Sequence, residues 1–371
     1  MRASDRARIA LAGGGSGGHL FPGIALAQAL GERPVLYGSK RKGEAEWVGA
    51  DAERVVLDSP LLPASRRDVP RFCVRLARAV HESVREMRAR RTDLVVGLGG
   101  YASVAPGMAA ILTRRPLLLL EQNAVPGKAN RLLARLGGRL AASYPESLGA
   151  LDARARRRAR VVGNPVRSGI LSGVRKPISF GLHPDRPVLL VVGGSQGATG
   201  LNERVLAAAG DIAARGVQVL HLTGSGSRDS GAEETARRNW RDRGVRAWVS
   251  AFTSDMGTLY ATADLVLSRA GGTTLAELTA TGRPSVLVPY PHHADRHQER
   301  NARVMVSTGA ARIVPEAELT RERFGREVLD LVTDREALGA MAAAAGGLGV
   351  PDAADRIATW ARELIAERTE A

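Results

Sequence analysis

Residues 9–27 read IALAGGGSGGHLFPGIALA. Ile9–Ala12 is a short apolar strand, Gly13–Gly18 is a glycine loop broken only by Ser16, and Ile24, Leu26, Ala27 and Leu30 recur at helical spacing. The stretch is therefore a strand, a glycine turn and a helix. The same plan returns at 188–206, VLLVVGGSQGATGLNERVL: an apolar strand over Val188–Val192, a loop with Gly193, Gly194 and Gly197, then a helix carrying Leu201, Val205 and Leu206. A continuous apolar run suits a strand covered by helices on both faces. Between and after the two motifs, short apolar runs end in small or polar residues. In the first half these are Val35–Tyr37, Val55–Leu57, Leu94–Gly97, Leu117–Leu120 and Val161–Val162; in the second, Val217–Leu222, Asp264–Leu267 and Ser285–Val288. Strands alternating with helices predict an α/β protein of two doubly wound parallel sheets, with a hinge near Pro165–Arg175.

The chain has 371 residues, enough for two domains with separate cores. A hydrophobic share of 44% and a charged share of 25% are globular values and exclude a disordered chain. Cys73 is the single cysteine, which excludes an intramolecular disulfide and a CxxC metal site and fits a reducing compartment. No apolar run approaches the ~18–20 residues of a membrane span, and the charged N-terminus is no secretory signal. The formal charge is +15, and it is unevenly placed. Residues 1–165 hold 28 basic and 14 acidic side chains, whereas 166–371 hold 25 and 24. Such an excess favours an anionic partner. Nucleic acid is a poor fit, because the chain has only 4 Trp, 5 Tyr and 5 Phe and no stacking motif in its basic half.

Glycines at strand ends let a backbone approach a ligand closely, and the helix that follows offers free N–H groups and a positive dipole end. Two such loops point to phosphate or nucleotide binding. The first is not the G-x-G-x-x-G pattern followed by an acidic residue at the end of the second strand: Gly38-Ser39-Lys40 there supplies no acid for a ribose, which argues against an NAD-dependent oxidoreductase. There is no GxxxxGK[ST] loop and no D-x-D pair to hold a metal. His292, His293, Asp295 and His297 match no standard zinc spacing and read as a polar loop.

Seven segments in order then resemble the MurG family of bacterial glycosyltransferases: GGSGGHLFPGIALA (14–27), GGYAS with Pro106 (99–106), EQNAVPGKAN (121–130), GNPVR (163–167), GGSQGATGLNE (193–203), DMGTLYATADLVLSRAGGTTLAEL (255–278) and DRHQERNA (295–302). The resemblance covers nearly the whole chain. It implies the GT-B fold, two Rossmann-like domains facing a cleft. Residues 1–165 would be the acceptor and membrane-side domain, 166–350 the UDP-GlcNAc domain, and 351–371 a C-terminal helix crossing back to the first. It implies inverting transfer of GlcNAc from UDP-GlcNAc to the C4 hydroxyl of the MurNAc sugar of lipid I, giving lipid II for peptidoglycan synthesis, with no metal and no cofactor. Another GT-B enzyme joining a UDP-sugar to a lipid is the near alternative.

The family's site residues carry over by position. Ser16, Gly17 and Gly18 match the first glycine loop near the donor phosphates, and His19 is the leading candidate for the base that takes the acceptor proton. Glu121 is the rival base. Asn123 matches a donor-sugar contact, and Tyr101 lines the same region. Leu120 stands where many relatives carry His. In the second half Ser195 matches a phosphate contact and Arg167 a donor-binding arginine. Thr253 matches the residue whose backbone reads the uracil, and Glu277 matches the ribose ligand. Gly272, Thr273, Thr274, Leu275 and Ala276 border that ligand. Gln298 matches a sugar-binding glutamine, preceded by His297 where many relatives have a second Gln. Arg269 is a cation either beside the diphosphate or in a surface or interdomain salt bridge.

Pro70–Arg91 sets Phe72, Leu76, Val80, Val84 and Met87 at helical spacing among seven arginines, against Glu82 and Glu86. The apolar stripe suits packing on the first domain, while the arginines suit an anionic lipid surface. The expected location is therefore peripheral, on the cytoplasmic face of the cell (inner) membrane. Expected partners are UDP-GlcNAc, lipid I, that membrane surface and cell-wall synthesis proteins, with no nucleic acid.

Overall fold

The computed structural model describes residues 7–14, 17–38, 53–60, 63, 65–194, 197–224, 231–292 and 296–370. The chain divides into two units, Met1–Arg167 with Asp352–Ala371, and Ser168–Pro351.

In the N-terminal unit the described residues form a seven-stranded sheet, ordered β3-β2-β1-β4-β5-β6-β7. The strands are β1 (Ile9–Gly13), β2 (Val35–Gly38), β3 (Arg54–Val56), β4 (Leu94–Gly99), β5 (Leu117–Glu121), β6 (Arg139–Ala142) and β7 (Ala159–Val161). All neighbours pair in parallel. The order runs outward from β1 in both directions, which makes β1/β4 the switch point where such sheets open a ligand crevice at their carboxyl ends. There the register shifts after Ala12 so that Gly13 faces Gly99. A Cβ on Gly13 would come within 2.8 Å of the Leu98 Cβ. The two strand ends can therefore approach this closely only without a side chain at Gly13.

One face of this sheet is covered by the basic helix Val69–Ala89, which buries Ala79, Val80, Ser83 and Met87 and presses Leu76 and Val84 on the core. On the other face Leu20 and Leu26 of helix Gly17–Leu30 pack with Ile357, Trp360 and Leu364 of the terminal helix Ala353–Glu370. The terminal helix returns to the N-terminal unit because its apolar stripe completes that core. Its polar flank adds ion pairs from Arg139 to Glu367 at 2.9 Å and from Arg160 to Glu363 at 3.0 Å, and the Arg160 guanidinium lies 4.5 Å from the Trp360 ring centre.

The second unit carries a six-stranded parallel sheet among its described residues, ordered β10-β9-β8-β11-β12-β13. Its strands are β8 (Val188–Val192), β9 (Gln218–Leu222), β10 (Ala247–Ser250), β11 (Leu265–Ser268), β12 (Ser285–Leu287) and β13 (Ala311–Ile313). The central strand β8 is buried along its whole length, as its unbroken apolar run requires. Both units are thus Rossmann-like. Three strands, β6, β10 and β13, are absent from the sequence reading.

Candidate functional site

At the carboxyl end of β1, helix Gly17–Leu30 begins directly with Gly17 and Gly18, and His19 stands in its first turn, half-buried. Ser16 lies outside the described residues. The His19 ring rests against the backbone of Gly99. A Cβ at Gly99 would fall 3.1 Å from the ring, and Gly99 has φ +93°, a conformation natural to glycine alone. The next residues, Gly100 (φ +72°) and the short turn Tyr101–Ser103, bring the partly exposed Tyr101 to the same strand end.

Glu121 ends β5 and is 2% exposed. Its Oε1 accepts from the backbone N–H and the side-chain Nδ2 of Asn123, both at 3.0 Å. Its Oε2 accepts from the Gly127 N–H and from Asn130 Nδ2, both at 2.9 Å. A carboxylate offers about four acceptor positions, and the loop 121–130 fills them. Burial pushes the Glu121 carboxyl above the usual carboxylate range, against the opposing pull of the four donors. Its oxygens are committed to shaping the loop that presents Asn123. Asn130, buried and bonded also to the Leu120 carbonyl at 2.9 Å, is a site residue that the sequence reading left inside a motif without a role.

Arg167 ends the N-terminal unit with its guanidinium 4.1 Å from the centre of the Phe21 ring, and Phe21 in turn covers Gly17, where a Cβ would lie 2.8 Å from the ring. The arginine is thereby stacked beside the first glycine loop.

In the second unit Ser195 lies outside the described residues, as do His293 and Asp295. Helix Gly272–Ala280 starts after Gly271, and its first turns carry Thr273, Thr274 and Ala276. Leu275 is fully buried. Glu277 lies in the second turn, 6% exposed, and its Oε2 accepts from the Tyr260 hydroxyl at 2.9 Å. The Ala270 peptide before this helix is gripped on both sides. Its N–H donates to Gln298 Oε1 at 3.2 Å, and its carbonyl accepts from Asn301 Nδ2 at 3.2 Å. Gln298 Oε1 also takes the Tyr290 N–H at 2.9 Å. Gln298 therefore uses its carbonyl to hold two loops, and its Nε2 is the end suited to a ligand hydroxyl. Thr253 lies after β10, its Oγ1 accepting from the Asp255 N–H at 3.1 Å, while Asp255 caps helix Met256–Thr262 through the Thr258 N–H at 3.1 Å.

Arg269 departs from the expectation of a surface or interdomain salt bridge. It is buried and ion-paired with Glu316 of the same unit, and its Nη1 donates to the carbonyls of Val288 at 3.1 Å and Pro289 at 3.4 Å. A buried guanidinium needs such partners, and here they tie the ends of β11 and β12 together. The ion pair is neither at the surface nor between domains. Glu316 also explains Gly200: a Cβ there would run into its carboxylate. No motif marked Glu316, because its partner is 47 positions away.

Two Rossmann-like units with ligand-type loops at the carboxyl ends of parallel strands define the GT-B class. The family description is more specific. Residues 9–141 match the glycosyltransferase family 28 N-terminal domain and residues 188–357 its C-terminal domain. The chain belongs to glycosyltransferase family 28, in its MurG branch. Among its relatives, the UDP-N-acetylglucosamine--N-acetylmuramyl-(pentapeptide) pyrophosphoryl-undecaprenol N-acetylglucosamine transferase of Halorhodospira halophila is 39% identical, over 96% of this chain and 98% of the relative. The protein of the same name from Aeromonas hydrophila is 40% identical, over 96% and 97%. The crystal structure of Acinetobacter baumannii MurG superposes with a TM-score of 0.72 at 25% identity, covering 96% of this chain and 99% of that one.

Proposed function

We propose that this chain transfers GlcNAc from UDP-GlcNAc, with inversion, to the C4 hydroxyl of MurNAc in undecaprenyl-pyrophosphoryl-MurNAc-pentapeptide (lipid I), giving lipid II for peptidoglycan synthesis. The carrying observation is 39–40% identity over 96–97% of the chain to relatives whose names state that activity. In this reading the N-terminal unit takes the lipid acceptor and the second unit the UDP-sugar. The acceptor oxygen attacks C1 of GlcNAc, the C1–O bond to the diphosphate breaks with its electron pair leaving on UDP, and the acceptor proton passes to the His19 imidazole. Glycine-loop N–H groups, the start of helix Gly272–Ala280 and Arg167 offset the charge that develops on the leaving diphosphate. Glu277 accepts the ribose hydroxyls, the Thr253 backbone reads the uracil, and Gln298 Nε2 and Asn123 contact the sugar. Glu121 acts by holding Asn123.

The acceptor is anchored in a bilayer, and no helix among the described residues is long and apolar enough to cross one. The reading therefore places the chain on the cytoplasmic membrane face. Helix Val69–Ala89 supports this with exposed Val69 and Val74 among the exposed Arg71, Arg78, Arg85 and Arg88.

Transfer of radiolabelled GlcNAc to a lipid I analogue tests the assignment. His19→Ala should lower kcat by about 10²–10⁴ with donor affinity kept, and Glu277→Ala should raise the KM for UDP-GlcNAc. Full donor affinity in Glu277→Ala removes the ribose role, and full kcat in His19→Ala removes the base.

A further inference from the structure

We propose that Tyr260 is a positioning residue for the donor nucleoside, its hydroxyl setting the orientation in which Glu277 meets the ribose. This rests on the reading of Glu277 as the ribose ligand.

A carboxylate can accept a vicinal diol with both hydroxyls only when its plane is held, because the terminal torsion of Glu is broad and soft. The Tyr260 hydroxyl donates to Glu277 Oε2 at 2.9 Å, in a setting where Tyr260 is 1% and Glu277 6% exposed. A hydrogen bond to a buried charge is among the stronger kinds, and it fixes the oxygen it engages. The phenol is itself buried. It lies on helix Met256–Thr262, capped by Asp255, and this helix packs against Ser168–Leu171 so closely that a Cβ on Gly257 would run into the Gly169 carbonyl. The anchor is thus set by backbone packing, whereas Glu277 belongs to a different helix, Gly272–Ala280.

The same short segment carries Thr253, whose Oγ1 binds the Asp255 N–H, and Asp255 caps the helix that bears Tyr260. Base and ribose would therefore be gauged from one short stretch, residues 253–260. A nucleoside whose uracil sits at Thr253 meets the Glu277 carboxylate at a distance and angle that Tyr260 fixes.

The test compares Tyr260→Phe, Glu277→Ala and the unaltered chain by calorimetric titration with UDP and with 2′,3′-dideoxy-UDP, together with donor KM and kcat. Tyr260→Phe removes one oxygen and keeps the buried ring. It should weaken UDP by about fivefold to thirtyfold, raise the KM for UDP-GlcNAc in parallel, leave kcat within about twofold, and leave dideoxy-UDP within about twofold of the unaltered chain. The ratio of the two affinities on one sample does not depend on how much of the variant is folded. Equal losses for UDP and dideoxy-UDP would mean that Tyr260 only supports the fold, and overturn the proposal. No loss for either ligand, while Glu277→Ala selectively loses UDP, would overturn the positioning role and leave the ribose reading standing. If Glu277→Ala shows no ribose-selective loss, the ribose reading fails and the proposal fails with it.

Discussion

Four N–H donors converge on Glu121, and a phenol converges on Glu277. The two carboxylates look alike in the sequence, each in a family motif at a strand or helix end, and their surroundings give them different work. Replacing Glu121 by Gln puts an NH₂ group opposite donors that the carboxylate now accepts. The expected cost is about 1–3 kcal/mol, read as a lower denaturant midpoint, and unchanged stability would show that the loop does not depend on the acid. A second buried group, His221, was passed over within its strand. Its Nδ1 accepts from Trp240 Nε1 at 3.3 Å, so Nε2 carries the proton and donates to Asn202 Oδ1 at 3.1 Å, while Asn202 Nδ2 donates to the Thr223 carbonyl at 3.0 Å. This chain pins the helix after the second glycine loop to the end of β9. Burial pushes the His221 imidazole down to about 4. Its ordinary value is about 6.5, so between these pH values the unfolded chain binds a proton that the folded chain refuses. The stability from this group is full above about pH 6.5 and falls as the pH drops toward 4. Between pH 7 and pH 5 the protein should lose about 2 kcal/mol more than His221→Gln does, and equal losses in parallel denaturation series would contradict the assignment.

At the scale of elements, periodicity located what hydrophobic content makes visible. The stripe at Ile357, Trp360 and Leu364 marks a helix face that must be covered, and it is covered by the N-terminal unit. Trp360→Ala should cost about 3–5 kcal/mol and open the terminal helix to trypsin at Arg362 and Arg368; a digestion pattern like that of the unaltered chain would show that the helix holds without its anchor. The strands β6, β10 and β13 escaped because each is only three or four residues long and carries Arg, Trp or Ser among its apolar residues. A strand of that length shows no usable period, and it becomes a strand because its neighbour in the sheet supplies hydrogen-bond partners. In the basic helix Val69–Ala89 the apolar stripe does pack inward at Val80 and Met87, so the surface left over is mainly arginine.

For the whole molecule, the charge asymmetry belongs to the unit assigned to the lipid. Arg75 is engaged with Asp58 at 2.7 Å and Arg85 with Glu86 at 3.3 Å, whereas Arg71, Arg78 and Arg88 stand exposed. Each basic side chain near an anionic surface contributes about 1 kcal/mol, screened by salt. Replacing Arg71, Arg78, Arg85 and Arg88 by Gln should weaken sedimentation with vesicles containing phosphatidylglycerol by at least about tenfold and leave UDP affinity unchanged. Vesicle binding at the original level would remove the helix from the membrane contact.

By itself the sequence determined the two parallel α/β units, the glycine loops that open each, the family, and the residue types at the strand ends. These follow from local patterns: apolar runs of strand length, glycines where a backbone must turn, and motifs of adjacent residues. Only the tertiary structure decided what those side chains are engaged in. Glu121 turned out to be filled by its own loop, Arg269 to be neutralised by Glu316, Gln298 to hold the Ala270 peptide, and Glu277 to be met by Tyr260. Glu316 for Arg269, Ala270 for Gln298 and Tyr260 for Glu277 lie 17 to 47 positions away along the chain. A hydrogen bond or ion pair acts over a few ångströms of space, and sequence order does not encode which distant residues the fold brings within that range.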